Sequence, residues 1–529
     1  MCGILGGSKA GWDYAGALES MRYRGPDGLQ IKKDTSFNMG FVRLSIMDLS
    51  YNGMQPMTST DGNVSIVFNG EIYDFKRLKD ELIKRGYMFK SGSDTEVILN
   101  SYLEYGDSFI YKIDGMFAIS IYDKRQEKVK LYRDRAGIKP LYYYSDGKNF
   151  AFGSELDAVK ILLNDIELNI DYTALYDYLT YTYIPEPKSM YKNIYKLEPG
   201  KTITYNVKTK KISKPVRYWR LIPDSTVSRK RKKGDVEETI RELVTETVKE
   251  QMVADVPVGS FLSGGIDSSI VTYEALKYNN CIETFSMGFS NKRFDELQYA
   301  HLMADIFGIR RNECILDRKI FNRLYPRLKE WYDEPFSDTS AFPTYLVSKL
   351  SKEKVTVVLT GDGGDEVFGG YYRYKEFLDG KWTGKINNRR ISGLLEYYFY
   401  ESNFIKKCQL LETVSAICPL YDYLQKGRKK EFAKRWGIPK DYDDYWYFRK
   451  YYHKELPPLT RLQYMDFKTY LPSDILTKVD RVSMQVSLEA RVPLLSKKIV
   501  EYMFSLSQED RNPKGVLKGA LKNAYKGLI

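Results

Sequence analysis

Short, mostly apolar segments separated by turn residues dominate the first 215 residues of the chain. Residues 65–68 and 117–122 are followed by Asn69-Gly70 and Asp123, which are typical of turns between strands. Residues 75–85 instead show helical spacing of apolar side chains. The pattern predicts a mixed domain with much antiparallel strand pairing and few helices.

The pattern changes in the second half of the chain. Ile240, Val244 and Val248 recur at helical spacing, and short apolar strands then alternate with helices such as 294–308. The predicted strands span residues 256–262, 284–288, 312–315 and 355–359. This alternation predicts a parallel α/β sheet with ligands at the carboxyl ends of its strands. Beyond Tyr371 the pattern is mostly helical.

A polar and basic stretch separates the two patterns, which is typical of a linker between domains. We therefore expect a first domain over residues 1–215, a linker over 216–235 and a second domain over 236–529.

Composition narrows the class of protein. No apolar run approaches the ~20 residues of a membrane-spanning helix, and the N-terminus lacks the features of a signal peptide. The five cysteines show no paired framework and indicate a reduced, cytoplasmic protein; they are Cys2, Cys281, Cys314, Cys408 and Cys418. The net charge of +13 comes from 82 basic residues interspersed with 69 acidic ones, and the one dense basic run, 229–233, is typical of a solvated linker. We therefore expect neither a membrane nor a nucleic acid as partner.

The most informative single residue is Cys2. The chain has only two histidines, His301 and His453, so a nucleophile that uses a histidine base is disfavoured. If Met1 is removed, Cys2 carries a thiol beside its own α-amine, and an amine with a pKa of about 8 can accept the thiol proton.

A second chemical signal is the loop Ser263-Gly264-Gly265-Ile266-Asp267-Ser268-Ser269 at a strand-to-helix transition. Glycines allow the backbone close to a phosphate, and the following helix offers free N–H groups. The loop lacks the Gly-Lys-Ser/Thr ending of a Walker motif. It resembles the pyrophosphate loop of the ATP pyrophosphatases. A further acidic loop over residues 360–366 ends another predicted strand, and its Asp365 and Glu366 could complete a Mg²⁺ site with Asp267.

Over essentially its whole length the chain resembles the glutamine-hydrolysing asparagine synthetases. The segments that carry the resemblance in the first half are Met1-Cys2-Gly3-Ile4, Arg24-Gly25-Pro26-Asp27, Arg43-Leu44-Ser45-Ile46, Asn69-Gly70-Glu71, Ser93-Asp94-Thr95-Glu96 and Arg133-Asp134-Arg135. Those in the second half are the Ser263 loop, Asp333-Glu334-Pro335, 361–371, Thr477-Lys478-Val479-Asp480-Arg481 and Ser487-Leu488-Glu489-Ala490-Arg491-Val492-Pro493.

The resemblance implies a fold for each half. The first half would be a class II glutamine amidotransferase domain, which is an αββα sandwich of the N-terminal-nucleophile type. The second would be a parallel-sheet ATP-pyrophosphatase domain with a helical C-terminal part.

The resemblance also implies a site for glutamine. Cys2 would attack the side-chain amide, and Asn69 with the Gly70 N–H would form the oxyanion hole. Arg43 would pair with the glutamine α-carboxylate, Asp94 would pair with its α-amine, and Glu71 would lie at the same end. Ammonia would then cross an internal passage to the second domain.

In the second domain, the resemblance implies that aspartate is activated by ATP as an aspartyl-adenylate, which ammonia converts to asparagine with release of AMP and pyrophosphate. Asp362 would help to form the adenylate, and Asp267 and Asp365 would bind Mg²⁺. The ATP-binding residues would be Phe261, Leu262, Ser263, Gly264, Gly265, Asp267, Ser268, Ser269, Met287, Thr360 and Gly361.

One departure affects the expected activity. The family continues beyond the position of Ile529 with a lysine-containing motif, so we expect glutamine hydrolysis to survive better than amide synthesis in this 529-residue chain.

Three alternatives stay open: an amidotransferase for another carboxylic acid, an RNA-binding enzyme, and a catalytically dead homologue. We expect Asp333-Glu334-Pro335 and Glu489-Ala490-Arg491 to shape the acceptor pocket, and the sequence leaves open whether the chain is a homodimer.

Overall fold

The computed structural model describes residues 1–223, 233–379 and 426–529. Cys408, Cys418 and most of the basic run at 229–233 lie outside these ranges. The limits predicted for the linker, at 215 and 235, stay a prediction.

The first half of the described chain builds two antiparallel sheets. Its strands and helices are, in chain order, β1 (Gly3–Gly7), α1 (Tyr14–Glu19), β2 (Gly28–Lys32), β3 (Asn38–Arg43), β4 (Met57–Thr58), β5 (Val64–Ile72), α2 (Phe75–Lys84), α3 (Asp94–Tyr105), β6 (Gly115–Asp123), β7 (Lys128–Arg133), β8 (Tyr142–Ser145), β9 (Phe150–Gly153), α4 (Leu156–Leu162), α5 (Tyr172–Tyr181), β10 (Ile194–Lys196), β11 (Lys201–Asn206) and β12 (Val216–Arg217). The strand orders are β10-β8-β9-β1-β3-β2 and β12-β11-β7-β6-β5-β4.

The two sheets form the inner layers of a four-layer sandwich. Along β5, Ile66 and Phe68 pack in the cluster that includes α2 and α3, whereas Val67 packs in the core between the sheets. This alternation follows from the two-residue period of a strand. Helices α1 and α4 cover the other sheet through Leu18 and Leu156. The predicted αββα architecture is confirmed.

The second half of the described chain is built around a parallel sheet. Its elements are α6 (Lys233–Gln251), β13 (Val258–Phe261), α7 (Ile266–Leu276), β14 (Glu283–Phe289), α8 (Leu297–Phe307), β15 (Arg311–Leu316), α9 (Arg318–Leu324), α10 (Leu328–Trp331), α11 (Ala341–Lys352), β16 (Val357–Leu359), α12 (Gly364–Phe368), α13 (Tyr372–Leu378), α14 (Lys426–Arg435), α15 (Trp446–Arg449), α16 (Pro458–Lys468), α17 (Leu476–Met484), β17 (Glu489–Arg491), α18 (Lys497–Ser505), α19 (Gln508–Arg511) and α20 (Gly519–Ala524).

The strand order of this sheet is β15-β14-β13-β16-β17, and every pairing is parallel. The first four strands are those that the sequence predicts. The edge strand β17 is not predicted, because its residues are Glu489, Ala490 and Arg491, and two of these three side chains are charged. All three are nevertheless buried, since β17 lies where the second domain meets the first.

Buried ion pairs join the two domains. Arg24 is fully buried and contacts Glu155 of its own domain at 2.6 Å and Asp480 of the second domain at 2.9 Å. Arg481, next to Asp480, pairs with the same Glu155 and, at 2.9 Å, with Asp333. Two sequence motifs that lie 456 residues apart therefore meet as one charge cluster.

Asp333 and Glu334 belong to this interface, so their predicted role in an acceptor pocket is wrong. Asp333 Oδ2 accepts the N–H of Leu156 at 2.5 Å, which caps the first turn of α4 from across the interface. Glu334 pairs with Lys196 of the first domain. Both carboxylates are therefore used to dock the domains.

Arg24→Met should weaken this interface strongly, because it leaves Glu155 and Asp480 buried with one fewer positive charge. We expect a loss of about 3–5 kcal/mol in the free energy of unfolding, measured by urea denaturation. Arg77 pairs with Asp74 on the exposed face of α2, so Arg77→Met should change it by about 1 kcal/mol or less. Equal losses in the two variants would contradict the structural importance of the cluster.

Candidate active sites

The Cys2 thiol lies in a narrow cleft at the start of β1. Its sulfur accepts the Leu44 N–H at 3.5 Å, and its backbone carbonyl accepts the Arg24 Nε–H at 3.1 Å. Burial raises the pKa of the thiol, and the Met1 amine and the Leu44 N–H partly oppose that rise. The sulfur is therefore held in place but needs a base to become a thiolate.

A free amide donor lies beside Cys2. Asn69 Oδ1 accepts the backbone N–H of Cys2 at 3.1 Å, and the Asn69 Nδ2 group is buried without a hydrogen-bond partner. Gly70 follows with a φ of +154°, and a Cβ there would lie 2.0 Å from the Met116 carbonyl oxygen. An unpaired donor next to a thiol suits an oxygen that gains negative charge during attack.

The same cleft gathers charges of both signs. It is lined by Arg43, Glu71 and Asp94, as predicted from the sequence. The Arg43 guanidinium donates to the Ser50 carbonyl at 2.7 Å and also to that of Asp48, which fixes its orientation.

The two carboxyl groups of the cleft are buried. Asp94 accepts the Ile72 N–H at 2.9 Å, and burial raises its pKa to about 6. Burial and the neighbouring Asp94 raise the pKa of Glu71 well above its usual value. A guanidinium and two carboxyl groups in one cleft match the two charged ends of an amino acid.

Two further charged residues reach this cleft from the second domain. Glu489 lines it directly and lies 3.0 Å from the Met1 amine, and Arg491 lies 3.3 Å from Glu71. Their predicted role in an acceptor pocket is therefore wrong. The sequence does not predict this placement, because the placement depends on how the two domains dock.

A second, larger cavity of about 690 Å³ opens at the carboxyl ends of β13, β14 and β16. Eleven of the residues predicted for the second domain's site line it: Phe261, Leu262, Ser263, Gly265, Asp267, Ser268, Met287, Thr360, Gly361, Asp362 and Asp365. The structure thus brings together loops that are about a hundred residues apart in sequence.

The serine-rich loop is held by its own hydrogen bonds. Ser263 Oγ lies 3.0 Å from Ser268 Oγ and accepts the Gly265 N–H at 3.2 Å. Gly265 is the N-cap of the eleven-residue helix α7, whose first N–H groups are free to bind an anion.

Gly264 and Ser269 are not among the lining residues. Gly264 has a φ of +80°, and a Cβ there would lie 2.4 Å from the Tyr299 carbonyl carbon, so it lets the loop pack on α8. Ser269 is buried inside α7. Both residues therefore stabilise the loop without lining the cavity.

Lys518 is the site residue that the sequence reasoning missed. Its Nζ lies 2.5 Å from Asp267 Oδ2 and 2.7 Å from Asp365 Oδ1, and it lines the cavity. Burial and Asp365 raise the pKa of Asp267 to about 6, against the opposing effect of Lys518. Gly370 leaves room for this lysine, since a Cβ there would lie 1.9 Å from Lys518 Cε.

Glu366 does not join the two aspartates. It is fully buried, and its Oε1 accepts the Tyr371 hydroxyl at 2.6 Å. Its predicted role as a metal ligand beside Asp365 is therefore wrong. Among the described residues, no group of three or more His, Cys, Asp or Glu side chains is arranged to hold a metal ion, and no helix is long and apolar enough to cross a membrane.

Comparison with known proteins divides the chain into two family regions. A family model described as asparagine synthase matches residues 239–529, and one described as a glutamine amidotransferase domain matches residues 1–219. The glutamine-hydrolysing asparagine synthetase 1 of Bacillus subtilis is 34% identical over 96% of this chain and 80% of its own length. A putative asparagine synthetase 2 of Methanocaldococcus jannaschii is 35% identical over 92% and 98%. The amidase chry2 of Gibberella zeae is 28% identical over 92% and 77%.

Asp94→Asn should change how stability depends on pH. Native Asp94 titrates near pH 6 and the ordinary group near 3.8, so the native state binds more protons between these values. The contribution of Asp94 to stability should therefore be greatest below about pH 4 and decrease by about 1.4 kcal/mol per unit as the pH rises to about 6. Urea denaturation across this range should show that the wild type loses this much free energy of unfolding relative to Asp94→Asn. The exposed Asp80→Asn variant is the control, and an unchanged slope in Asp94→Asn would contradict the assignment.

Proposed function

Because the chain belongs to the asparagine synthase family and carries a glutamine amidotransferase domain, we propose that it makes asparagine from aspartate with ATP and with ammonia from glutamine. The observation that carries the proposal is the pairing of two clefts in one docked structure. One holds a half-buried thiol beside an unpaired amide donor, and the other holds a lysine between two aspartates below a helix N-terminus. A cytoplasmic location and a homodimeric state stay predictions.

In the first cleft, Cys2 Sγ attacks the amide carbon of glutamine, forming a thioester and releasing ammonia; water then frees glutamate. Asn69 Nδ2 and the Gly70 N–H donate to the oxygen that becomes negative. Arg43 binds the α-carboxylate, while Asp94 and Glu71 bind the α-ammonium group. If Met1 is removed, the base is the α-amine of Cys2 itself, whose nitrogen lies 3.1 Å from Asn69 Oδ1.

In the second cavity, the aspartate side-chain carboxylate attacks the α-phosphate of ATP, forming aspartyl-adenylate and pyrophosphate. The 263–269 loop and the N-terminus of α7 bind the departing pyrophosphate. Ammonia then attacks the acyl carbon and AMP leaves.

We propose that Mg²⁺ enters this cavity together with ATP, because two carboxylates converge there. Asp267 and Asp365 both reach one cation, as their contacts to Lys518 demonstrate, and Asp267 Oδ1 is buried without a hydrogen-bond partner. These two carboxylates would hold Mg²⁺, which supplies charge neutralisation for the phosphate oxygens. Lys518 would then turn from the carboxylates towards the pyrophosphate and stabilise its negative charge.

A second candidate function keeps both steps and changes the acceptor to another carboxylic acid. It is favoured by the similarity to a protein named as an amidase rather than a synthetase. The two candidates differ only in which acid supports AMP release.

The decisive assay measures AMP and amide product from ATP, Mg²⁺ and glutamine with aspartate or another acid. We expect one asparagine per AMP with aspartate. Lys518→Met should lower AMP release about 10²–10³-fold, because a positive donor to the phosphates is lost. Glutamine hydrolysis without ATP should persist in this variant.

The matched control is Lys522→Met, one turn further along α20 and exposed. It should retain wild-type AMP release. Aspartate-independent release with another acid would favour the second candidate, and equal rates in the two lysine variants would contradict the role of Lys518.

A further inference from the structure

Strand β17 contributes side chains to the Cys2 cleft and a backbone hydrogen bond to the larger cavity. The Arg491 carbonyl accepts the N–H of Thr360 at 2.9 Å, at the start of the acidic loop of the larger cavity. The side chains of Glu489 and Arg491 instead lie beside the Cys2 cleft of the first domain. A three-residue strand therefore contacts both candidate active sites.

The Arg491 side chain is fixed from several directions. Its Nη1 donates to the carbonyls of Gln251 and Val253 at 2.7 Å each, and its Nε donates to Glu489 Oε1 at 2.7 Å. Its Nη2 is buried, makes no hydrogen bond and lies 3.3 Å from Glu71 Oε2. One edge of the guanidinium is thus anchored in the second domain, and the other is aimed at a carboxyl group of the first.

Electrostatics explain why this contact matters to Glu71. Burial and Asp94 raise the pKa of Glu71, and Arg491 is the first of the groups that lower it. Glu489 is a third carboxyl group in the cluster; burial disfavours its charge, but the Met1 amine, Arg491 and Lys139 hold its pKa at about 2. Without Arg491, three buried carboxyl groups would face one another with less positive charge between them.

We infer that Arg491 is a positioning residue of the glutamine site: from the second domain, it fixes the Glu71 carboxylate that binds the α-ammonium group of glutamine. The glutaminase site is therefore complete only when the synthetase domain is docked. This inference rests on the proposed hydrolysis of glutamine in the Cys2 cleft, and adds to it a residue from the other domain.

Glutamine hydrolysis by the full chain tests this role. Arg491→Gln should raise KM for glutamine at least about tenfold and change kcat less than about threefold, because the thiol and its amide donor are untouched. Arg491→Lys keeps the charge but not the planar fork, so it should recover most of the loss and leave KM about two- to threefold above that of the wild type. Lys498→Gln, which removes an exposed ion pair of the same domain, is the matched control and should leave KM unchanged.

A double-mutant cycle separates positioning from a purely structural role. Arg491→Lys should raise KM in the wild-type background and have no further effect in a Glu71→Gln background, because its effect passes through that carboxylate. This comparison holds even if Arg491→Gln fails to fold. Equal effects in both backgrounds, or a KM in Arg491→Gln no higher than in Lys498→Gln, would overturn the inference. If the wild type hydrolyses glutamine, the proposed function stands whichever result the variants give. If the wild type does not hydrolyse glutamine, both the proposed function and this inference are overturned.

Discussion

The buried charge cluster between the domains is the constraint on which both sites depend. Arg24, Glu155, Asp480, Arg481 and Asp333 are removed from water, and such charges are tolerated only when each keeps its partner. Their geometry fixes the docking of the first domain on the second. Because the Arg24 side chain also donates to the Cys2 carbonyl, the interface extends directly to Cys2.

The same constraint explains why charged residues occupy β17. A strand of Glu, Ala and Arg would be unfavourable in an ordinary buried sheet edge, since a desolvated charge is costly. Here Glu489 and Arg491 pair with each other and with groups of the first domain. The strand therefore serves docking and site construction together, while its backbone holds the acidic loop of the other cavity through Thr360.

Sequence periodicity predicts the parts of the structure whose reasons are local. Strands β6, β13 and β16 follow apolar segments that end at turn residues, and α2 and α8 follow helical spacing. Strand β5 is also predicted, but the turn expected at Asn69-Gly70 is wrong, because the strand continues through both residues to Ile72 and pairs there with β6. The 263–269 loop is also predictable, because its residues are consecutive and lie between an apolar strand and a helix. The residues of the Cys2 cleft are expected together only through the family resemblance, since they come from separate motifs. What could not be predicted depends on long-range docking: Lys518 meets Asp267 across 251 residues. Likewise Asp333 and Glu334, which the motif placed near an acceptor, lie at the domain interface.

We propose that one docked molecule passes ammonia from the Cys2 cleft to the Lys518 cavity without release to solvent. It is tested most directly with glutamine labelled with nitrogen-15 in its side-chain amide, in the presence of excess unlabelled ammonium, by measuring the label in the product amide by mass spectrometry. We predict that the product carries nearly full label at every ammonium concentration. Label diluted in proportion to the ammonium in the medium would contradict internal transfer.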